Sequence, residues 1–495
     1  MNSSAESVLA GRRIVVAGLG VSGEAVARWL HGCGAGLMLY DSDTALSAVA
    51  PDVAASGKEV FFSDNDVKAV FERFAPELLV VSPGIPPSSG IVRAAVERGI
   101  PITCELALAA AFWQGPVIAV TGTNGKTTTV RLVSCLLNEA GVDHVAAGNI
   151  APPLAACMGR NSVNCTAVLE VSSFQLEYFP ETGDALLPLP CFSVAALLNL
   201  APDHLDRHGS FESYSRFKGR IFDYCRDGGA IVNMGDGNAM RCLHGRPGLC
   251  FGHGPPGEHG AFVDRDAGEI AVSLPGGSVE SYDLAGWSLE GTHNLENLAC
   301  AILAARLAGA GQTGVSRGIS LFRPPGHRFE TVAFISGVRF INDSKATNVA
   351  ATLKAMEAVQ GNIVLVAGGV GKEEDYDVLA RAISARNGVD SSSPSACGRV
   401  LKVILLGETR DEIGRSLDGI VEICAIDVDS GDEAMRAAVN DAFESASPGD
   451  TVLFSPACAS FDMFGSYMER GDAFARAVKE FCGFRREPTG EMPCQ

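Results

Sequence analysis

The stretch PVIAVTGTNGKTTTVRLVSCLL, residues 116–137, decides the fold of the chain. Its apolar start, 116–120, predicts a buried β-strand, and apolar residues recur at helical spacing from Val130 onward. A glycine-containing loop between a strand and a helix binds phosphate through its backbone N–H groups. Lys126 is then placed to reach the β- and γ-phosphate oxygens, and the Thr127 hydroxyl to ligate magnesium. Val120 replaces the first glycine of the strict motif, so a plain glycine turn is the competing interpretation.

A second glycine-rich turn follows the first apolar run of the chain, residues 14–18. Gly18, Gly20 and Gly23 precede a stretch with helical spacing, and Asp41 ends the next apolar run. This spacing fits a dinucleotide-binding turn, in which the glycines approach a diphosphate and the aspartate takes a ribose hydroxyl. A sugar-nucleotide diphosphate requires the same features, and a plain tight turn is the third alternative.

Apolar runs alternate with helical patterns along the whole chain, which predicts an α/β fold of three domains. Residues 1–114 predict a Rossmann-like N-terminal domain, and 115–323 a central domain with the phosphate loop and a mostly parallel sheet. Residues 324–482 predict a Rossmann-like C-terminal domain, followed by a tail at 483–495. Within the central domain, short alternating strands among Gly, Pro and His predict a small β-hairpin insert at 250–290.

Composition argues against two classes of partner. Because 58 acidic residues face 39 basic ones, the net charge is −19, and we expect no nucleic-acid partner. The 15 cysteines are odd in number and contain no CxxC pair, which predicts reduced thiols and a cytoplasmic location. Residues 185–202 lack charges but contain Pro188, Pro190 and Asn199, so we expect a buried strand rather than a membrane span.

Polar residues near the ends of later apolar runs are candidates for chemistry. Glu170 ends one run and is a candidate metal ligand, with a solvated carboxylate as the alternative. Asp203, His204 and Lys218 lie close together in the sequence, where they could position magnesium and polyphosphate or belong to an ordinary polar loop. Three further polar groups are expected to share a cleft between domains: GTHNLEN (291–297), PPGHRFE (324–330) and NDSKATN (342–348).

The order of these motifs resembles the Mur ligase family. The matching motifs lie between residue 11 and about residue 482 and are GLGVSG, SPGI, TGTNGKTT, EVSSFQLE, NLAPDHLDRH, GTHNLEN, PGHRFE, NDSKATN and SPACASFDMF. The resemblance implies a cytoplasmic ligase of peptidoglycan synthesis that uses ATP and two Mg²⁺ ions. It would activate the carboxylate of UDP-N-acetylmuramoyl-L-alanine as an acyl phosphate, which the amine of D-glutamate attacks. SPACASFD and the glycine-rich start are typical of the members that take D-glutamate, and we expect a monomer with small-molecule partners and no membrane partner.

The resemblance also implies roles for individual residues. The catalytic residues would be Lys126, Glu170, His204 and Lys218, and the magnesium ligands Thr127, Glu170, His204 and a carbamylated Lys218. ATP would be contacted by Gly122, Thr123, Asn124, Gly125, Lys126, Thr127, Thr128, Asn294, Asn297, Arg328, Asp343 and Lys345. The UDP-linked substrate would be contacted by Gly18, Gly20, Val21, Ser22, Asp41, Ser42, Ser82, Gly84 and Asn149. D-Glutamate would be contacted by Lys345, Thr347, Lys372, Ser460 and Phe461, beside an aromatic wall at Tyr467. Val370 differs from the family, which often has an acidic residue at its position.

Three other functions stay open at this point. A sister ligase would share the mechanism but take another amino acid, although its N-terminus would not normally carry the glycine-rich turn. A nicotinamide-dependent oxidoreductase would use Gly18 to Asp41 for its cofactor and the phosphate loop for regulation. A non-catalytic, nucleotide-gated scaffold would have no need of Lys126, Glu170, Lys218 and Lys345 together.

Overall fold

The computed structural model describes ten stretches of the chain. These are residues 3–41, 60–61, 67–183, 188–254, 259–289, 291–323, 326–371, 375–388, 398–428 and 430–484. Two compact units are present. One contains Met1–Leu200, Glu212–Trp287 and Leu295–Phe322, and the other Ala201–Phe211, Ser288–Asn294 and Arg323–Gln495. The domain boundaries after residues 114 and 323 stay predictions, and most of the predicted tail lies outside the described residues.

The first sheet is built from five short strands. They are β1 (Arg13–Ala17), β2 (Gly36–Tyr40), β3 (Val60–Phe61), β4 (Leu78–Val81) and β5 (Ile102–Cys104). All pair in parallel, in the order β3-β2-β1-β4-β5. Its helices are α1 (Ser3–Leu9), α2 (Val21–Gly32), α3 (Val67–Phe74), α4 (Gly90–Glu97) and α5 (Glu105–Ala111). The apolar run at 14–18 forms β1, within a residue at each end.

The second sheet has nine strands. They are β6 (Val117–Thr121), β7 (His144–Gly148), β8 (Thr166–Glu170), β9 (Val194–Leu197), β10 (Ala230–Asn233), β11 (Leu249–His253), β12 (Gly260–Asp264), β13 (Glu269–Ser273) and β14 (Glu280–Asp283). Their order is β14-β13-β12-β11-β10-β9-β6-β8-β7, and only the pairs at β13 and β14 are antiparallel. The hairpin insert predicted at 250–290 is therefore the edge of this sheet. Without these strands, β10 would be an edge strand with unpaired backbone groups on one side.

The helices between residues 126 and 321 are mostly short. They are α6 (Lys126–Glu139), α7 (Ser173–Glu177), α8 (Leu205–His208), α9 (Phe211–Gly219), α10 (Gly237–Arg241), α11 (Thr292–Leu307) and α12 (Gln312–Leu321), with 3₁₀ turns at Leu154–Arg160 and Arg220–Tyr224. The uncharged stretch 185–202 contains β9, whose four residues are buried, as the sequence predicted. No helix in the described part of the chain is long and apolar enough to cross a bilayer.

The third sheet lies in the second unit. Its strands are β15 (Glu330–Ile335), β16 (Val338–Asn342), β17 (Ile363–Ala367), β18 (Val400–Leu405), β19 (Glu422–Ala425) and β20 (Thr451–Phe454). Their order is β15-β16-β20-β17-β18-β19, with only β15 antiparallel. The helices are α13 (Val349–Ala358), α14 (Tyr376–Asn387), α15 (Arg410–Leu417), α16 (Gly431–Glu444) and α17 (Tyr467–Phe484). Apolar clusters cover both faces of the sheet, so its inner strands are continuous apolar runs, as predicted.

The three sheets bring candidate residues together at strand ends. In each, the segments that follow neighbouring parallel strands emerge on the same edge, where α/β sheets bind ligands. The glycine-rich turn follows β1, Asp41 follows β2 and Ser82 follows β4. In the second sheet the candidate site residues follow the neighbouring strands β9, β6, β8 and β7. In the third sheet they follow β16, β20 and β17.

Candidate active site

The phosphate loop joins β6 to α6, as the sequence predicted. Gly122 and Gly125 both have positive φ, at 156° and 86°. A Cβ on Gly125 would lie 2.5 Å from Asn297 Oδ1, so the amide of Asn297 packs directly on the loop. Glycine is therefore required here both by backbone conformation and by close approach of a neighbour.

Two lysines point at one carbonyl of this loop. Lys126 Nζ donates to the backbone oxygens of Gly122 and Thr123, at 2.8 Å each. Lys218 Nζ donates to the same Gly122 oxygen at 2.8 Å, although Lys218 is only 2% exposed. The two ammonium groups thus share one hydrogen-bond acceptor, the backbone oxygen of Gly122. This concentration of positive charge suits a polyphosphate.

Tyr214 and Asn199 hold the phosphate loop, and sequence reasoning missed both roles. Tyr214 OH pairs with Thr123 Oγ1 at 2.9 Å, and its ring lies 4.9 Å from Lys218 Nζ. Asn199 Oδ1 accepts from Asn124 N at 2.8 Å, and Asn199 Nδ2 donates to Asn124 O at 3.0 Å. Asn199 O also accepts from Thr123 N. The available signal was the position of Asn199, two residues beyond a buried strand.

Glu170 ends β8 beside the phosphate loop, since it pairs with Val120 in the strand register. The residue is 3% exposed. Its Oε1 accepts from Asn149 Nδ2 at 2.8 Å, whereas its Oε2 is buried without a hydrogen-bond partner. A buried carboxylate oxygen left unpaired in this way is costly unless a cation or a donor meets it.

These residues fit a magnesium ion only in part. The unpaired oxygen of Glu170 and the hydroxyl of Thr127, in the first turn of α6, are oxygen ligands of the kind that Mg²⁺ prefers. Among the described residues, no group of three His, Cys, Asp or Glu side chains is placed to hold a metal. A fuller ligand set would therefore need substrate oxygens or a modified Lys218.

The glycine-rich turn after β1 is closed by its own neighbours. Gly18 N donates to Tyr40 O, and Ser82 Oγ donates to Gly18 O at 2.8 Å. Asp41 is 7% exposed, and its Oδ2 accepts from Leu19 N at 2.6 Å. Asp41 therefore has a structural role in shaping the turn. Its presence does not require a nicotinamide cofactor. Val21, at the start of α2, is 71% exposed and available to a ligand. Gly20, Ser22 and Gly84 lie in the same two turns, whereas Ser42 lies outside the described residues.

In the second unit, Asp343 and Lys345 follow β16. The Asp343 carboxylate accepts from Phe329 N at 3.1 Å and from Ser455 Oγ at 3.2 Å. Burial raises the pKa of Asp343 to about 7, although the charge of Arg328 opposes the shift. Lys345 Nζ lies 3.9 Å from the centre of the Tyr467 ring, so the predicted aromatic wall is in contact with this lysine.

The segment after β20 supplies the other residues predicted to contact the amino acid. Ser460 is 2% exposed and Phe461 is 74% exposed. The backbone of Val370 forms two hydrogen bonds with the backbone of Ala459, one residue before Ser460. These bonds hold Val370 against the segment after β20 whatever its side chain. Thr347 lies in the loop before α13, and Lys372 is outside the described residues.

His204 and Asn294 belong to the second unit. His204 has φ 53° and lies 3.6 Å from the carboxylate of Asp203, which also accepts from Asn348 Nδ2. Asn294 is 6% exposed, near the start of α11. Lys218 and Glu170 lie in the first unit, so the structure describes the predicted magnesium ligands in two separate groups.

Three family models match the chain. The "Mur ligase MurD-like, N-terminal domain" matches residues 12–104, the "Mur ligase middle domain" 120–305, and the "Mur ligase, glutamate ligase domain" 327–458. A UDP-N-acetylmuramoylalanine--D-glutamate ligase of Acidobacterium capsulatum is 38% identical over 95% of this chain and 96% of its own length. The chain belongs to the Mur ligase family. The ligase of the same name from Desulfosudis oleivorans is 37% identical, again over 95% of this Mur ligase and 96% of the relative.

Solved structures share the fold of this Mur ligase. A pseudomurein peptide ligase type C from Methanothermus fervidus has a TM-score of 0.56 at 16% identity, over 95% of this chain and 100% of that one. The MurF ligase of Thermotoga maritima, solved in complex with ADP, has a TM-score of 0.54 at 15% identity, over 98% and 100%. Together with the three family-model matches, this shared fold confirms the predicted α/β fold of three domains.

This Mur ligase has one further titratable group near its predicted ATP residues. Burial and the nearby charges of Lys354 and Arg328 lower the pKa of His293 to about 4, so its ring is neutral at physiological pH. A Cβ on Gly291 would lie 2.8 Å from that ring. The sequence motif GTHNLEN contained His293, but only the packing identifies it as a buried neutral side chain.

Proposed function

We propose that this Mur ligase joins D-glutamate to UDP-N-acetylmuramoyl-L-alanine and converts ATP to ADP and phosphate. The relatives at 37–38% identity carry the name of that reaction. The observation on which the proposal depends is the pair of lysines, Lys126 and Lys218, at the Gly122 carbonyl, together with the unpaired oxygen of Glu170 at the end of β8, the strand next to β6. A phosphoryl-transfer site requires cations and a metal-binding carboxylate in this arrangement.

The reaction requires activation because a carboxylate is a poor electrophile. An oxygen of the substrate carboxylate attacks the γ-phosphorus of ATP, the bond to the bridging oxygen breaks, and ADP leaves. The amine of D-glutamate then attacks the carbonyl carbon of the acyl phosphate, phosphate leaves, and the nitrogen loses a proton. Both steps bring anions together, so Lys126 would exchange its carbonyl partners, Gly122 and Thr123, for phosphate oxygens.

Magnesium would neutralise phosphate charge as the phosphoryl group moves. Glu170 and Thr127 are the proposed ligands of one ion, and Asn149 orients Glu170 through its 2.8 Å hydrogen bond. His204 and Lys218 are the proposed ligands of a second ion. An unmodified Lys218 ammonium cannot ligate a cation. Reaction of its neutral amine with CO₂, with loss of a proton, gives a carbamate that can.

The remaining predicted roles are proposed with the function. The turns after β1, β2 and β4 would bind the uridine diphosphate, and Asn149 the muramoyl-alanine end. Asn294, Asn297, Arg328, Asp343 and Lys345 would contact ATP. Lys345, Thr347, Lys372, Ser460 and Phe461 would surround D-glutamate. We further propose that the enzyme acts in the cytoplasm as a monomer. The cytoplasmic assignment is supported by the thirteen cysteines in the described part of the chain, none of which forms a disulfide with another described cysteine.

The deciding experiment measures phosphate release with ATP, magnesium and UDP-N-acetylmuramoyl-L-alanine. D-Glutamate, L-glutamate, L-lysine and meso-diaminopimelate are compared as acceptors. We expect stimulation by D-glutamate alone. Stimulation by another acceptor would assign the chain to a sister ligase, and no stimulation by any of the four would refute the proposed reaction.

A second experiment tests the carbamate on Lys218. We expect Lys218→Ala to be inactive and to regain part of its activity with formate or acetate, because a free carboxylate can replace the carbamate oxygens. Arg216→Ala is the matched control, since Arg216 is exposed on the same helix, α9. An inactive variant that no carboxylate restores would contradict the carbamate.

A further inference from the structure

Arg470 is a buried cation near the proposed acceptor residues. It lies on α17 and is 1% exposed, yet no carboxylate of the described residues forms an ion pair with it. Asp462 is an acid whose charge acts on Arg470. The Asp462 carboxylate, however, accepts from Glu408 N and Met463 N. A guanidinium enclosed without a counter-ion is unusual, because burial of an unpaired charge is costly.

The guanidinium of Arg470 is instead bound by uncharged oxygens. Nε donates to Ser344 Oγ at 3.1 Å, Nη2 to Ser344 O at 2.8 Å, and Nη1 to Ala459 O at 2.9 Å. Burial lowers the pKa of Arg470 to about 10, so the group remains protonated at physiological pH. The charge is therefore retained at physiological pH, and no carboxylate of the described residues forms an ion pair with it.

The bonds of Arg470 connect the two segments that carry the proposed D-glutamate residues. Ser344 directly precedes Lys345 in the loop after β16, and Ala459 directly precedes Ser460 in the segment after β20. Ser344 Oγ also donates to the backbone oxygen of Tyr467, whose ring contacts Lys345 Nζ. One side chain thus bridges both segments, whose strands, β16 and β20, are also paired in the sheet.

A third segment also meets Arg470. A Cβ on Gly369, which follows β17, would lie 3.1 Å from Arg470 Nη1. The strands β16, β20 and β17 are neighbours in the third sheet. Arg470 therefore lies against all three strand-end segments of the proposed acceptor site, where a charge in low-dielectric surroundings acts over several ångströms.

We propose that Arg470 is a positioning residue of the acceptor site, and that its unneutralised charge makes the site select an amino acid with a second carboxylate. This inference rests on the proposed D-glutamate ligase function. It gives a physical cause for the preference for an acceptor with two carboxylates. The hydrogen bonds of the Arg470 guanidinium go to neutral oxygens, so its positive charge favours the binding of a second negative charge on the acceptor.

The test compares D-glutamate with D-glutamine, its uncharged analogue of nearly equal shape. The variants are Arg470→Met, which removes the charge, and Arg470→Lys, which keeps it. For Arg470→Met we expect the KM for D-glutamate to rise and the preference for D-glutamate over D-glutamine to fall by about 10- to 150-fold. The KM for the UDP-linked substrate should stay within about twofold, because the residues proposed to bind it lie in the first unit, whereas the hydrogen-bond partners of Arg470 lie in the second.

Arg470→Lys should raise the KM for D-glutamate, because a lysine cannot reproduce the three bonds, but should retain the preference. Arg476→Met is the matched control, because Arg476 lies on the same helix, is exposed and pairs with Asp432. Phosphate release by the wild type with D-glutamate tests the proposed function separately. An Arg470→Met enzyme with the wild-type preference would overturn the inference. If that variant does not fold, loss of the preference in Arg470→Lys would overturn it.

Discussion

Gly23 offers a sharp test of how the glycine-rich turn is built. A Cβ at this position would lie 1.7 Å from the backbone oxygen of Gly18 and 2.8 Å from its carbonyl carbon. Backbone atoms cannot rotate away as a flexible side chain can. Gly23→Ala must therefore move the start of α2 from the turn by about 1.3 Å before the contact is tolerable. Overpacking of this kind costs about 2–4 kcal/mol.

The perturbation should appear in both stability and substrate binding. For the first unit, of about 300 residues, a loss of that size corresponds to a fall in melting temperature of about 3–6 °C. Val21 and Ser22 lie in the displaced segment, so the KM for the UDP-linked substrate should rise about tenfold or more. The assays are thermal unfolding and initial rates at saturating ATP and D-glutamate.

Gly32→Ala is the matched control for this experiment. Gly32 is the last residue of α2, and a Cβ there would meet nothing within 4 Å. Alanine is a better helix former than glycine, so this variant should gain about 0.5–1 kcal/mol and keep its KM. If Gly23→Ala has the same melting temperature as the wild type and the same KM for the UDP-linked substrate, the packing argument for this turn is wrong.

Two further predictions concern other parts of the first unit. Asn199→Ala removes two side-chain hydrogen bonds to Asn124, so nucleotide binding measured by calorimetry should weaken about 10- to 30-fold. Asn238→Ala, which removes one hydrogen bond with Arg241 at a half-buried position, should not weaken it, and equal affinity in both variants would contradict the role given to Asn199. Burial raises the pKa of Glu105 to about 7, above the ordinary glutamate value of 4.5. The folded state therefore binds the extra proton, and the free energy of unfolding falls as pH rises between those two values, by about 3 kcal/mol at most. Glu105→Gln should remove that decline in denaturant unfolding at pH 5 and pH 8, and parallel profiles for variant and wild type would exclude Glu105 as its source.

Local patterns in the sequence predicted the elements that carry the site. The apolar runs before Gly18, Gly122 and Asp343 all became buried strands, and helices followed the first two turns where spacing predicted them. Asn348 caps the helix that begins at Val349, as a polar residue before a helical pattern does. These features depend on residues within a few positions of each other, so periodicity and turn chemistry are sufficient to find them.

Strands with mixed or short patterns were not predicted. β3 and β5 have two and three residues, and β15 and β19 are only partly buried. An edge strand has one open side and a short strand has few side chains, so neither produces a continuous apolar run. The hairpin predicted at 250–290 was correct in its strands, but its pairing to β10 through β11 could not be inferred from that segment alone.

The α/β class, the phosphate loop and the family motifs could be read from the chain alone, because each is a local pattern of residue types. The contacts between residues that are distant in the chain could be found only in the folded structure. Asn199 holds Asn124 from 75 positions away, and Arg470 reaches Ser344 across 126 positions. The order of the strands in each sheet makes these contacts. Strand order depends on which buried faces pack together in three dimensions, a property that no stretch of sequence contains.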